Sequence, residues 1–459
     1  MATFLSGGHS LFFREQAPPK GQTKYGFKSL KIVIVGAGIA GLTTALAFRN
    51  TGHDVTVLER YAGPQNIGGP IVITANAARV LFDLGLDEIW EEKSEKDVQK
   101  VNHRRYATGE VLASLDTKKA DDAYGFPTLR FARFRLLCIL EEVAKERGVK
   151  ILYDHNVISV SYSVIPWVSC SNSFFIKDVD LIVGADGISS VIRQTIAMEN
   201  PIKTASHRTT YNINIPRSMV ADDPELVEFI KSTNFWLGPQ RVLIALNMSD
   251  LDDKLNLSFG THDEEGVEGE WFQQGDLELV RQKFADFDPR VLKLLDIAEA
   301  VEAECYICRL SDVSPLKEWS KEKVVMVGDA CHAMLPLLAM GASQSIEDAK
   351  CLAMCIDKAY LKKRPLTEGL QIFEILRKPR TAFLVGRGRE EAEKWYMGDG
   401  TEQRARDQRI KDTSFFFPPQ NWDGKHIDNP PEGEGHLLGS VYDQGFNVID
   451  HVSGSKSVC

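Results

Sequence analysis

Lys31 to Arg60, reading KIVIVGAGIAGLTTALAFRNTGHDVTVLER, constrains this chain more than any other segment, because strand, glycine turn, helix, second strand and terminal acid follow one another in register. Ile32 to Val35 is apolar and β-branched, as a strand covered on both faces requires. It runs into Gly36-Ala37-Gly38-Ile39-Ala40-Gly41. There Gly36 permits the tight turn, Gly38 lets a pyrophosphate approach the backbone, and Gly41 lets the next helix pack close to the strand. Amides at the start of that helix then face the phosphates. Leu42 to Asn50 supplies the helix, Gly52 ends it, and Asp54 to Leu58 forms a second strand that delivers Glu59. That acid falls about twenty residues beyond the glycines, where a carboxylate suits a ribose diol and repels a 2′-phosphate. The segment therefore predicts a dinucleotide-binding βαβ unit. Val33 to Phe48 is uncharged and could pass for a short membrane span, but the phosphate-binding glycine pattern and the polar flanks favour the soluble reading.

With 459 residues, 43% apolar and 26% charged, the chain is long enough for two or three globular domains. Its net charge of −10 argues against nucleic acid or an anionic membrane as partner, and points to a small molecule. The eight cysteines are scattered, without the dense spacing of a secreted disulfide framework, which predicts a reducing, cytoplasmic setting. Cys305 and Cys308 form a CxxC, yet within an apolar run that reads as a strand, where positions i and i+3 point to opposite faces. No second CxxC or paired histidines follow, so no metal site is expected. Cys351 and Cys355 read as helix core residues. Residues 1–30 are rich in Gly, Pro and Lys, show no period, and carry Glu15 as their one acid. They read as a disordered extension that lacks the apolar centre of a secretory signal; the scarcity of acids is compatible with an organelle transit peptide.

Beyond Glu59 the Gly/Pro-rich loop GPQNIGGPIVI is expected to reach back toward the cofactor, followed by a helix from Ala75 to Leu84 closed by Gly85. Residues 98–130 alternate as small strands do, and Arg133 to Arg147 has helical spacing. In DLIVGADGISSVIR, Leu181 to Val183 is a buried strand, Gly184 to Gly187 a turn, and Ser189-Ser190 are N-cap types that open the helix carrying Arg193. Residues 204–310 lack this layout. They offer alternating runs (Tyr211 to Ile215, Val242 to Met248, Leu255 to Phe259), an acidic loop at Asp263 to Glu270 and a helix from Asp276 to Asp286, which predict a separate, largely antiparallel domain. Lys323 to Asp329 is another buried strand ending on an acid, and after HAMLPLLAMGA a helix is predicted from near Ser343 to about Lys358, with Gly341 and Ala342 at its start. Such a helix start favours negative charge. The nucleotide domain thus comprises 31–100, 130–200 and 320–360, and the substrate domain 101–129 and 201–319. A helical region over 361–412 and a loop-rich tail over 413–459 complete the chain.

Three elements, GAGIAG…ER, GADGISSVIR and VVMVGDACHAMLPLLAMGASQSIEDA, occur in that order. Together they resemble the class A flavoprotein aromatic monooxygenases, the p-hydroxybenzoate hydroxylase fold, and most closely the salicylate hydroxylase-like branch common in secondary metabolism. The resemblance runs from about Lys31 to Asp407 and includes KEWSKEKVVMVGDACH, ADDPEL at 221–226 and RKPR at 377–380. It implies an α/β chain with a Rossmann-like FAD-binding domain of glutathione-reductase type, an inserted, mostly antiparallel β-sheet substrate domain and C-terminal helices. It places Gly36, Gly38 and Gly41 at the FAD pyrophosphate, Glu59 at the adenosine ribose with Arg60 beside it, and Gly69 and Arg133 about the flavin and its phosphates. Asp329 would meet the ribityl and pyrophosphate region. Gly341 and Ala342 would offer a helix-start amide to the flavin pyrimidine edge, where charge grows on reduction. Asp186, followed by Gly187, matches the motif tied to FAD and the nicotinamide cofactor.

One GxGxxG and no second Rossmann unit imply that NADH or NADPH visits as a transient co-substrate. The implied cycle reduces FAD, forms a C4a-hydroperoxide with O2 and transfers oxygen to an aromatic or polyketide-like substrate. Pro336 matches a family proline on the oxygen-reacting side, where a missing N–H and fixed φ hold backbone shape; any loop before a helix also tolerates proline. His332 reads as a satisfied loop histidine. The chain departs from the family at Tyr211-Asn212, where relatives often carry Tyr-Arg, the arginine holding an anionic substrate. Arg208 and Arg241 are candidate replacements, each also readable as a surface arginine. Arg208, Asn212 and Pro336 are therefore the candidate catalytic residues. Ala339 and Met340 replace a usual Gly-Gln, which predicts a more apolar wall. Two alternatives stand beside the monooxygenase: a flavin-dependent dehydrogenase or reductase on the same scaffold, and a degenerate FAD-binding protein without activity.

Overall fold

In the computed structural model, which describes residues 21–66, 69–87, 98–162, 166–197, 203–248, 253–262, 272–412 and 444–454, the strand Lys31–Val35 lies inside a six-stranded sheet. Its order is Ser320–Lys321, Val324–Met326, Leu181–Gly184, Lys31–Val35, Asp54–Leu58 and Lys150–Leu152, parallel throughout except for the first pair. Ile32, Val33 and Ile34 are all buried, with no alternation, in a core shared with flanking helices and with Val160, Val168 and Cys170 of the three-stranded sheet Val157–Ser161, Trp167–Cys170 and Phe175–Lys177. The helix Ile39–Thr51 packs against Gly341–Leu361 and Arg133–Glu146, and Phe48, Val57, Leu140, Leu352 and Ile356 join one core. Each such fully buried side chain contributes about 1.5–3 kcal/mol.

The second sheet has eight strands, in the order Phe272–Gln274, Cys305–Val313, Lys203–Pro216, Lys254–His262, Arg241–Met248, Ser232–Gly238, Lys100–Arg105 and Val111–Asp116. All its pairs are antiparallel except Ser232–Gly238 with Lys100–Arg105. Strand alternation gives its two faces different jobs. Tyr211, Ile213, Ile215, Leu255, Leu257 and Phe259 form a core with Phe284, which caps the end of the helix Leu277–Lys283, and with Val291 and Leu294 from the helix Pro289–Ala300. The opposite face, carrying Asn212, Asn214, Ile244 and Ser258, is only half-buried. A two-stranded ribbon, Pro70–Ile73 with Leu129–Ala132, follows Gly69 and leads into the helix of Arg133.

Several expectations need correction. Within 98–130 not everything is strand. Thr117–Tyr124 is a helix, capped by Asp116, whose side chain accepts from the Lys119 amide at 3.1 Å; eight residues are too few to show a 3.6-residue period against the flanking alternation. Of the extension expected to be disordered, residues 21–30 are folded: Gln22 pairs with Lys28, and buried Leu30 donates its amide to His53 Nδ1 at 3.1 Å. Residues 1–20 lie outside the described residues, as does the predicted acidic loop. The tail is not all loop, since Val448–Gly454 is a helix that brings Phe446, Val448 and Val452 into the nucleotide core. The helical region is not self-contained either. Its helix Leu366–Trp395 buries Leu370 and Phe373 in the nucleotide core, and Ala392 and Trp395 in a third cluster with Leu237, Val242, Leu335 and Leu337. No helix among the described residues is long and apolar enough to cross a membrane.

Candidate cofactor and substrate site

The glycine turn has the geometry its spacing requires. Gly36 has φ +103°, and a Cβ there would lie 2.5 Å from the Ala185 carbonyl oxygen; a Cβ on Gly41 would lie 1.9 Å from the Gly36 carbonyl oxygen. Gly38 opens onto space free of protein atoms for 4 Å. The helix that starts there has no side-chain cap and no acid in its first turn, so its first amides and positive dipole end are left for an anion. Glu59 stands beside the turn, accepting from the Ala37 amide at 2.8 Å and the Tyr61 amide at 3.0 Å. Arg60 is exposed, its guanidinium 4.6 Å from the centre of the Tyr61 ring.

Asp329 begins the one-turn helix Asp329–His332 and is half-buried, with no hydrogen bond or ion pair to any described residue. Its neighbour Gly328 has φ +62°, and a Cβ there would lie 2.9 Å from the Ala40 Cβ, which brings the Asp329 turn against the glycine turn. Asp186 is placed differently from the expected cofactor contact. Its Oδ1 accepts from Ser190 Oγ at 2.6 Å, and its Oδ2 from the Val191 and Ile192 amides at 2.7 and 3.2 Å. Burial pushes its carboxyl up against the pull of these bonds. Both oxygens are thus engaged in holding the start of Val191–Ala197, and Asp186 shapes the turn that carries Gly187.

Gly341 and Ala342 open the helix Gly341–Leu361, again without a side-chain cap or an acid in the first turn. One turn further on sits an ionic cluster that sequence reasoning missed. Glu347 accepts from Arg380 Nε at 2.8 Å, Arg380 Nη2 at 2.7 Å and Asn76 Nδ2 at 2.6 Å, and pairs with Arg377. Asp348 accepts from Arg377 Nε at 2.7 Å and the Gly328 amide at 2.9 Å, and meets His332 Nε2 at 2.5 Å. Burial opposes the charge on Asp348, but His332 and Arg377 hold its carboxyl down at about 2. The signal was present as two arginines three apart in RKPR, opposite the Glu347-Asp348 pair. Cys331, His332 and Asp348 converge within 4.8 Å, and these bonds account for that convergence.

The half-buried sheet face meets the loop that carries Gly69. A Cβ on Gly69 would lie 3.6 Å from Asn212 Oδ1 and 3.8 Å from Asn256 Oδ1. Arg133 is exposed, without a hydrogen-bonding partner among the described residues, and close enough to Cys308 for its charge to be felt there. Pro336 is exposed at the start of Pro336–Leu338, while Leu335 and Leu337 anchor that loop in the third cluster. Ala339 adopts φ +53°, the left-handed conformation that explains a usual glycine there. Met340 does not line the cleft as an apolar wall: it is buried, its Sδ accepting from Thr74 Oγ1 at 3.4 Å. The two candidate replacement arginines are both engaged. Arg208 bonds Glu393 at 2.6 Å and lies 5.1 Å from the Tyr396 ring centre. Arg241 holds Asp286 through two bonds at 2.7 and 2.9 Å. His103, which the sequence did not single out, stacks on Phe235 at 5.2 Å on this same face, and burial together with the Arg406 charge lowers it to about 4.

FAD fits what is present: an open cradle at Gly38, two uncapped helix starts, an unpartnered Asp329 and an unpartnered Arg133. Residues 29–382 match the family described as FAD binding domain. The chain is 28% identical over 390 residues to the FAD-dependent monooxygenase OpS4 of Beauveria bassiana (strain ARSEF 2860), covering 83% of this chain and 89% of that protein. It is also 28% identical over 390 residues to a 3-amino-4-hydroxybenzoate 2-monooxygenase of Streptomyces cremeus, covering 84% and 93%. Klebsiella pneumoniae HpxO, solved with FAD and uric acid, has the same fold, with a TM-score of 0.71 at 19% identity over 84% of this chain and 93% of that one. With the glycine turn, the strand-end acid and the uncapped helix starts in place across the matched span, the chain belongs to the FAD binding domain family and is a class A FAD-dependent monooxygenase.

Proposed function

We propose that the chain oxygenates an aromatic or polyketide-like small molecule, with NADH or NADPH and O2 as co-substrates, in the cleft between the Gly69 ribbon and the half-buried face of the eight-stranded sheet. One observation carries the reading: a Cβ on Gly328, next to the unpartnered Asp329, would lie 2.9 Å from Ala40 Cβ in the glycine turn and 2.8 Å from Ser345 Oγ in the helix that starts uncapped at Gly341, while Gly69 lies against Asn212 of this sheet face. Bound FAD supplies the redox chemistry. The amides after Gly38 hold the pyrophosphate, Glu59 the ribose, with Arg60 at the rim, and Asp329 the ribityl side. Asp186 acts through the helix start it fixes. The free amides at Gly341 and Ala342 stabilise negative charge that develops at the helix start. The Pro336–Leu338 turn, pinned by Leu335 and Leu337, and the apolar Ile244 and Phe235 keep water from the reacting centre. The relatives support a ring substrate, since one is named for 3-amino-4-hydroxybenzoate and a structural neighbour holds uric acid.

Purified protein should carry flavin absorbance. Single-turnover mixing of the reduced enzyme with O2 should give an absorbance transient distinct from oxidised and reduced flavin, and ¹⁸O₂ should label the product. Reoxidation with no transient and no label would favour a dehydrogenase or reductase on the same scaffold. Asp329→Ala should lower FAD occupancy several-fold; full flavin absorbance in that variant would overturn the placement of Asp329.

A further inference from the structure

Directly paired strands place Tyr306, Asn212, Ser258, Ile244, Phe235, His103 and Ala113 side by side across the half-buried face. Only His103 in this row is ionisable near neutral pH, and its surroundings keep it uncharged there. Arg208 is on the same face, four residues from Asn212 and thus roughly 13 Å along the strand. Its guanidinium is turned to Glu393 and Tyr396. Arg133, whose charge is felt at Cys308 on this face, is the one assigned to the phosphates of FAD. Nothing in the row itself can neutralise a substrate carboxylate, and an unpaired charge there would cost more than any hydrogen bond returns.

The row does hold a hydrogen-bonding patch with capacity to spare. Ser258 Oγ is 2.7 Å from Asn212 Oδ1 and 2.9 Å from Asn256 Oδ1, while Asn256 Nδ2 donates to Asn214 Oδ1 at 2.8 Å. A hydroxyl has one proton, so Ser258 satisfies one of its two amide oxygens at a time and leaves the other able to accept. The Asn212 amide reaches the Cys308 thiol, a weak partner that a stronger acceptor would displace. An acceptor and a donor side by side suit a group that offers both in return.

Resting on the monooxygenase reading, we propose that Asn212 and Ser258, backed by the fully buried Asn256, select an uncharged ring substrate bearing a hydroxyl, enol, lactam or carboxamide, and disfavour ring carboxylates. The test uses FAD-loaded enzyme at pH 7.5 and an isosteric pair of probes, 4-hydroxybenzamide and 4-hydroxybenzoate, titrated against the bound-flavin spectrum. The amide should perturb the flavin at a concentration at least ten-fold below the carboxylate. Asn212→Arg should reverse that order with FAD content unchanged, and the milder Ser258→Ala should weaken the amide several-fold and leave the carboxylate unaffected. Equal or tighter binding of the carboxylate overturns the proposal, and so does wild-type protein that binds neither probe. A neutral preference that survives both substitutions removes the selection from this row. Because the titration needs bound flavin and no turnover, failure of oxygen insertion is read separately, from the labelling experiment.

Discussion

Replacing Arg380 with Met puts the buried ionic cluster to a quantitative test. Arg377, Glu347 and Asp348 have no exposed side-chain surface, and Arg380 has 2%. With Arg380 present, two guanidinium groups face two carboxylates. Without it, Glu347 loses its two-bond partner and keeps Arg377, which also serves Asp348; breaking such a buried pair costs about 3–5 kcal/mol. The cation–π contact of Arg380 with Phe446, at 4.0 Å, disappears with it. For a chain of this size the fall in thermal midpoint is on the order of 3–5 °C. A second change, Glu347→Gln, removes the carboxylate that Arg380 served and keeps an amide for Asn76 to bond, so Arg380→Met/Glu347→Gln should recover at least half of the loss. Thermal unfolding followed by far-UV circular dichroism, at fixed excess FAD because cofactor binding shifts the midpoint, reads both numbers. A single variant within about 1 kcal/mol of wild type, or a double variant no better than the single, would refute the claim that the buried Arg380–Glu347 pair holds this region together.

Other consequences are quicker to check. His103 has its proton affinity depressed from 6.5 to about 4, so the folded state binds fewer protons than the unfolded one across that interval. The stability this represents is complete above pH 6.5 and is lost as pH falls toward 4, with about 2 kcal/mol gone by pH 5. His103→Gln should flatten the change in urea midpoint between pH 7.5 and 5, and an unchanged slope would clear His103 of the effect. Ala339→Gly relieves a left-handed alanine worth about 1–2 kcal/mol but adds backbone freedom to the unfolded chain, for a net gain of about 0.5–1 kcal/mol. A drop in thermal midpoint for that variant would show that the Ala339 methyl packs usefully.

The nucleotide half of the fold was legible because each of its signals is local. Gly36, Gly38 and Gly41 answer to steric demands within a few residues, and the buried runs at Ile32, Leu181 and Val324 need no knowledge of distant partners. What escaped depends on distance. Glu347 and Arg380 look like ordinary helix-surface charges until two helices bring them face to face. Asp186 matches a cofactor motif by position, yet its oxygens belong to a helix start five residues on. Met340 reads as a wall by analogy and turns inward because Thr74 lies beneath it. Asn212 was noticed for the arginine it replaces; that its neighbours in the row are also uncharged emerges only from strand register.

The short helix Val448–Gly454 bears on how this enzyme should be handled. Phe446 lies under Arg380, and Lys358 Nζ donates to the Val452 carbonyl at 3.2 Å, so the last described turn clasps the helices Gly341–Leu361 and Leu366–Trp395. Trimming the chain before residue 444, or fusing a bulky affinity tag directly after residue 454, would disturb the core that Phe446, Val448 and Val452 share with the glycine-turn strand while leaving every motif residue intact. Purification handles belong at the amino end, and a truncated preparation that emerges colourless would be reporting the loss of this clasp before it reported anything about the glycine turn.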